Sequence, residues 1–419
     1  ALKKIADLKS KQLQVITKLF STTPKLNNIS YSNQSVSNQK FIKQDFASLD
    51  NPKQPSNPSN KKSSNQTAFV PQSVATSATL KIIDISSLPD RSISITPQTP
   101  FSASEDLIAN DMLLKGEFRD SIKHYDLALA SNPQDSVLLV NRGKAKAGTG
   151  DNAGAINDYT LAISISPSDY AAFLARAQIK DLTGDKNGAL ADYDRAIEIN
   201  PKYPLSRKKR ATLLAELGDS QKALVDYSIA INLNPKDSES LFSRAALREQ
   251  NGLTSDALSD YSKIIEAYPA HAAAYYKRGR LKDDLGDFRG AINDYDHSLL
   301  LNPVQPNALN NRGLAKANTE DFSSALLDFS KAIKLKPDFY FAYNNRGASY
   351  LKLGKLVDAI ADFTKAIEIN ANYAPAYSNR GMALESAGNL PSACRDWRKA
   401  ASLGDQDALA WSTSQCSVK

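Results

Sequence analysis

The chain has 419 residues, of which 42% are hydrophobic and 23% charged, with a formal net charge of +7. No apolar run approaches the roughly 18 residues that a membrane-spanning helix needs. The two cysteines, Cys394 and Cys416, give neither a disulfide framework nor metal-ligand spacing.

The charge is uneven along the chain. Residues 1–100 hold 13 Lys/Arg against 5 Asp and no Glu, a net of +8, while the remainder is close to neutral at −1. The basic character therefore belongs to an N-terminal arm, residues 1–101, which is a separate object from the rest of the chain. Within it, residues 2–20 place Leu2, Ile5, Leu8, Leu13, Ile16 and Phe20 near one helical face, with Lys3, Lys4, Lys9, Lys11 and Lys18 interspersed. Such a basic amphipathic helix can lie on an anionic membrane surface or dock on a partner; alone in water it is marginal. From Ser21 to Ser77 the arm is rich in Ser, Asn, Gln, Lys and Pro and cannot build a core. Two short β-prone stretches, Leu80–Ile85 and Ser92–Ile95, read as extended docking peptides. The chain starts at Ala1 without a methionine, so residues are expected to have been removed ahead of it. A Ser- and Lys-rich, acid-poor start is compatible with the neighbourhood of an organellar transit peptide.

Beyond the arm the chain is periodic. Proline recurs every 34 residues at Pro133, Pro167, Pro201, Pro235, Pro269, Pro303 and Pro337, with Ala371 and Asp405 at the next two steps. Placing this proline at position 32 makes Ser102 the first residue of repeat one. Position 8 is then small in all nine repeats, from Ala109 to Gly381, and position 20 is Ser121 followed by eight alanines, Ala155 to Ala393. Position 24 is aromatic throughout, from Tyr125 through Tyr295 and Phe363 to Trp397. Apolar residues at spacings of three and four mark two amphipathic helices per repeat. Small residues at 8 and 20 let helices A and B approach, and the aromatic at 24 fills the space between them. Glycine at position 15 ends helix A in eight repeats and is missing only at Glu320. Proline at 32 stops helix B. One hairpin cannot bury its apolar face alone, so the repeats must stack into one continuous core.

These residues resemble the tetratricopeptide-repeat family in period and in the small-small-aromatic-proline pattern. The resemblance spans residues 102–411, leaving 412–419 as a tail. It implies an all-α right-handed superhelical solenoid of about nine 34-residue helix-turn-helix repeats, with A helices lining a concave face. Trp411 falls in a truncated tenth repeat and is expected to cap repeat nine. The family consists of protein-binding scaffolds, so the resemblance implies a non-catalytic linker or assembly factor. The run NRG–A–G–AI–DY–AI–NP further resembles cyanobacterial and plastid members. That points to a plastid location, in the stroma or on thylakoids, and to photosynthetic complexes; the alternative location is the cytoplasm.

Two sets of residues repeat within the repeats. Position 7 is arginine eight times, Arg142 to Arg380, and position 23 is aspartate eight times, Asp158 to Asp396. Repeat one has Ile108 and His124 instead. Equal counts in the same repeats suggest structural pairing across helices A and B. The second set is the candidate peptide-binding surface on helices A. Asn141, Asn311, Asn345 and Asn379 at position 6, with Asn310 and Asn344 at position 5, offer carboxamides that can bridge the N–H and C=O of an extended peptide. Resemblance to long tetratricopeptide superhelices, such as that of the O-linked N-acetylglucosamine transferase, implies the same use. Repeats three to six carry Ala175, Lys209, Ser243 and Lys277 there, which breaks the row. Lys208, Lys209, Lys277 and Arg280 give repeats four to six a basic face expected to prefer acidic segments. The lysine and asparagine clamp of chaperone-binding relatives is present only in fragments, Lys208 and Lys277.

Catalysis finds no support. His124, His271 and His297 are isolated, without metal-ligand spacing. Gly148, Gly150 and Gly154 imitate a phosphate loop but span an A–B turn with no strand before it. No cofactor or metal is expected. The expected partners are other proteins, held by the groove and the arm. An RNA-binding role for the arm is the alternative, but Phe20, Tyr31, Phe41, Phe46 and Phe69 are scattered and match no stacking module.

Overall fold

A computed structural model describes residues 100–416. Among them are nineteen helices and no strand. Helices A of the nine repeats are α1 (Pro100–Lys115), α3 (Ser136–Gly148), α5 (Tyr170–Thr183), α7 (Pro204–Glu216), α9 (Ser238–Gln250), α11 (Ala272–Asp284), α13 (Pro306–Asn318), α15 (Tyr340–Lys352) and α17 (Ala374–Ser386). Helices B are α2 (Phe118–Ser131), α4 (Asn152–Ile165), α6 (Lys186–Ile199), α8 (Ser220–Leu233), α10 (Thr254–Ala267), α12 (Phe288–Leu301), α14 (Phe322–Leu335), α16 (Leu356–Ile369) and α18 (Leu390–Ser402). A last helix, α19 (Gln406–Gln415), closes the series. The amphipathic helix read over residues 2–20 and the two β-prone stretches lie outside the described residues.

The nine hairpins fall in the expected register. Each helix packs on its chain neighbours, and the next-but-one pairings that pack closely join helix A to helix A. The A helices therefore line the inner side of the stack. All eight position-20 alanines are fully buried, and the aromatics at position 24 are buried beneath helix A. In repeat one the buried Ser121 donates its hydroxyl to the Ala109 carbonyl at 2.8 Å, so the polar substitute is satisfied. The small residue at position 8 is a steric requirement. A Cβ on Gly143 would stand 2.6 Å from the Tyr159 ring, and one on Gly381 would stand 2.4 Å from Trp397 Nε1. Burying an aromatic of this size contributes about 1.5–3 kcal/mol, repeated nine times along the core.

The turns are chemically specified as well. The glycines at position 15 take φ between 71° and 93°, where a Cβ would be strained. Glu320 adopts φ 65° at the same position, the one non-glycine with positive φ among the described residues. The next residue caps helix B: the Asp151, Asp185, Asp219, Asp287 and Asp321 carboxylates each accept a backbone N–H from the first turn.

The C-terminus corrects the reading of the cysteines. Cys394 on α18 and Cys416 just past α19 form a disulfide, with Cα atoms 5.6 Å apart. Two cysteines are no framework, yet they join because α19 folds back on repeat nine. Trp411 packs on Trp397 with ring centroids 5.7 Å apart, as expected of a cap. Arg398 donates to the Cys416 carbonyl at 3.1 Å. The helix runs to Gln415, four residues past the expected end of the solenoid.

Candidate binding groove

The position-7 arginines are built into the stack. All eight donate through Nε and Nη2 to both carboxylate oxygens of the aspartate sixteen residues on, at 2.5–2.9 Å. The third arm of each guanidinium, Nη1, reaches sixteen residues back to helix B of the preceding repeat. There it meets Asp126, Thr160, Asp194, Ser228, Ser262, Asp296, Ser330 or Thr364 at 2.6–3.1 Å. One arginine thus fastens its own hairpin and staples it to its neighbour. A second cation at position 11 shares the carboxylate in repeats two, three, five, six and seven: Lys146, Lys180, Arg248, Lys282 and Lys316, at 2.6–2.9 Å. In repeat four, where position 11 is Leu214, Arg207 takes that part at 3.1 Å. The bonds to Asp158 and Asp294 hold the Arg142 and Arg278 guanidiniums above their usual range, against the cost of burial.

The asparagines form a connected chain. Asn379 Nδ2 donates to Asn344 Oδ1 at 2.9 Å, Asn344 to Asn345 at 3.4 Å, Asn345 to Asn310 at 3.1 Å, Asn310 to Asn311 at 3.3 Å, and Asn311 to the Tyr276 hydroxyl at 3.4 Å. Links within a repeat alternate with links between repeats, so the row crosses from repeat nine to repeat six without a gap. Asn141 makes a separate link to Asn110 in repeat one at 3.1 Å. All six candidate asparagines are buried; Asn141 and Asn311 retain the most exposure, 9% each. The position-5 residues make this continuity, which a reading of position 6 alone breaks up.

The basic residues differ from the expected face. Lys208 pairs with Asp237 at 3.2 Å and Glu239 at 2.5 Å, both in the next repeat. Lys277 and Arg280 converge on Glu249, and Arg280 also meets Asp284 at 3.4 Å. Of the four candidates, Lys209 is the one without an ion pair among the described residues. Repeats four to six therefore present a mutually compensated network rather than an unpaired basic patch. The position-2 and position-12 acids that neutralise it, Glu239 and Glu249, went unread because both columns vary from repeat to repeat. His124 is likewise paired, with Glu105 of α1, where the other repeats use arginine and aspartate. Among the described residues no group of acidic, histidine or cysteine side chains is arranged to hold a metal ion.

Profiles of the tetratricopeptide repeat match residues 140–204, 208–272, 276–338 and 340–373, together more than half of the chain. The chain belongs to the tetratricopeptide-repeat family. No curated protein matches it. Solved structures of similar fold include a tetratricopeptide repeat protein from Parabacteroides merdae, 25% identical, covering 59% of this chain and all of that one, TM-score 0.45. The C-terminal part of a repeat-containing protein from Cytophaga hutchinsonii is 17% identical over 56% of this chain and 97% of that one, TM-score 0.48. YrrB, described as a tetratricopeptide protein with an unusual peptide-binding site, is 20% identical over 52% of this chain and 95% of its own, TM-score 0.35. Tetratricopeptide proteins are generally non-catalytic scaffolds that bind proteins or peptides in a groove.

Proposed function

We propose that this tetratricopeptide solenoid is an assembly scaffold that holds an extended segment of a partner protein along helices α13, α15 and α17. The observation that carries this reading is the asparagine chain. A carboxamide has two N–H groups and two lone-pair sites on oxygen, and each interior asparagine of the chain spends one of each on its neighbours. The ends of the chain, Asn311 and Asn379, keep 9% and 4% exposure and are held in place by bonds that cross the repeats. Groups fixed beforehand lose little entropy on binding, which favours affinity. The resemblance of the repeat consensus to plastid proteins supports extending the proposal to the assembly of photosynthetic complexes. The Cys394–Cys416 disulfide favours a compartment that keeps thiols oxidised, over stroma or cytoplasm.

The test removes the two ends of the chain, Asn311→Ala with Asn379→Ala, which disturbs the interior links least. Each lost bond costs about 0.5–1.5 kcal/mol, so affinity for a partner purified after capture from native extract falls roughly tenfold at unchanged helicity. Unchanged affinity would move the contact to the arm or the outer helices.

A further inference from the structure

We propose that the apolar N-terminal end of the solenoid, formed by Leu107, Ile108 and Leu114 on α1, is covered by the chain's own segment 80–88. In repeats two to nine, position 7 is the arginine that reaches back to the preceding repeat. In repeat one that place is Ile108, 40% exposed, beside Leu107 at 63% and, two turns on, Leu114 at 84%. An end repeat that faces water is expected to carry a polar outer face. Here the face aimed at a missing predecessor is apolar. The opposite end is closed by α19, with Trp411 on Trp397 and the Cys394–Cys416 link. One end has its cap, and the other has a surface suited to one.

The occupant follows from the chain that leads into α1. Residues 80–88 read LKIIDISSL, with five apolar residues in an arm otherwise dominated by Ser, Asn, Gln, Lys and Pro. Residues 89–99 separate this segment from Pro100. Eleven residues span up to about 36 Å when extended, more than the roughly 24 Å length of a 16-residue helix such as α1. The isoleucines of the segment can cover Leu107 and Ile108. A short tether also holds the segment at an effective concentration in the millimolar range, which a second copy of the chain does not reach in dilute solution.

The test uses the full chain with a photoreactive phenylalanine analogue at the exposed Leu107. Irradiation is expected to link it to residues 80–88 of the same molecule, at a yield independent of protein concentration. Ile83→Asp should lower that yield roughly tenfold, since one well-buried isoleucine is worth about that factor. In a second measurement, hydrogen exchange at 80–88 is expected to be slower than over the neighbouring polar stretch, and Ile108→Arg should abolish the difference. Links between two copies, links to another part of the arm, or exchange at 80–88 as fast as its surroundings would overturn the proposal. None of these outcomes depends on the groove's partner.

Discussion

Each position-7 arginine is held by side chains from two other helices, and its worth to the stack lies in what is left when it goes. Asp294 is fully buried and accepts from Arg278 and Lys282. Arg278→Ala leaves that carboxylate with Lys282 alone, a loss that stays below the about 3–5 kcal/mol a fully stranded buried charge costs. Adding Asp294→Ala should restore much of the loss. Denaturant unfolding of the four species is expected to give a coupling energy of about 2 kcal/mol or more; no coupling would mean that the pair is not the fastener described. The Arg–Asp pairing was legible because the two columns are filled in the same eight repeats. The third and fourth partners were not. Position 25 is Asp, Ser or Thr by turns, and position 11 is cationic in only five repeats, so neither column shows one repeated residue. The asparagines illustrate the same limit: their placement on helix A was legible, their spending of bonds on one another was not, because it depends on the distance between neighbouring A helices.

At the scale of the helix and its turn, the sequence pattern carried nearly everything. Small residue, aromatic, glycine and proline each answer to a steric or backbone requirement at one place in the hairpin, so they recur and can be read. Glu320 shows the glycine rule by its exception, adopting the left-handed φ at the cost of strain of roughly 1 kcal/mol. The closing element was harder. Trp411 could be read as a cap, but whether Cys394 meets Cys416 depends on α19 turning back far enough, and Cys416 lies past the last residue of the repeat pattern. The link closes a separation of 22 residues, for which chain entropy gives about 3 kcal/mol. Cys394→Ser should therefore speed hydrogen exchange in α19 and the end of α18 while leaving α3–α6 unchanged. Equal exchange in wild type and variant would show that the aromatic packing alone secures the cap.

Across the whole molecule the repeats are alike in their fasteners and unlike in what they present. Arginine staples and the asparagine chain both pass from repeat to repeat, so neighbours stabilise one another as in other solenoids. The groove differs along its length, with charges compensated over α7–α11 and carboxamides over α13–α17. Composition could separate arm from solenoid, but only the spacing of adjacent helices shows that Lys208 is neutralised from the following repeat. The proposed scaffold role requires the partner to lie along the A helices. A photoreactive residue placed in turn at Lys209 and Asn307 on helices A, and at Leu327 and Val357, which are 65% and 82% exposed on helices B, tests this directly. The purified partner should be captured from Asn307, more weakly from Lys209, and not from the two helix-B positions. Capture from Leu327 or Val357 with none from Asn307 would contradict a partner held in the groove.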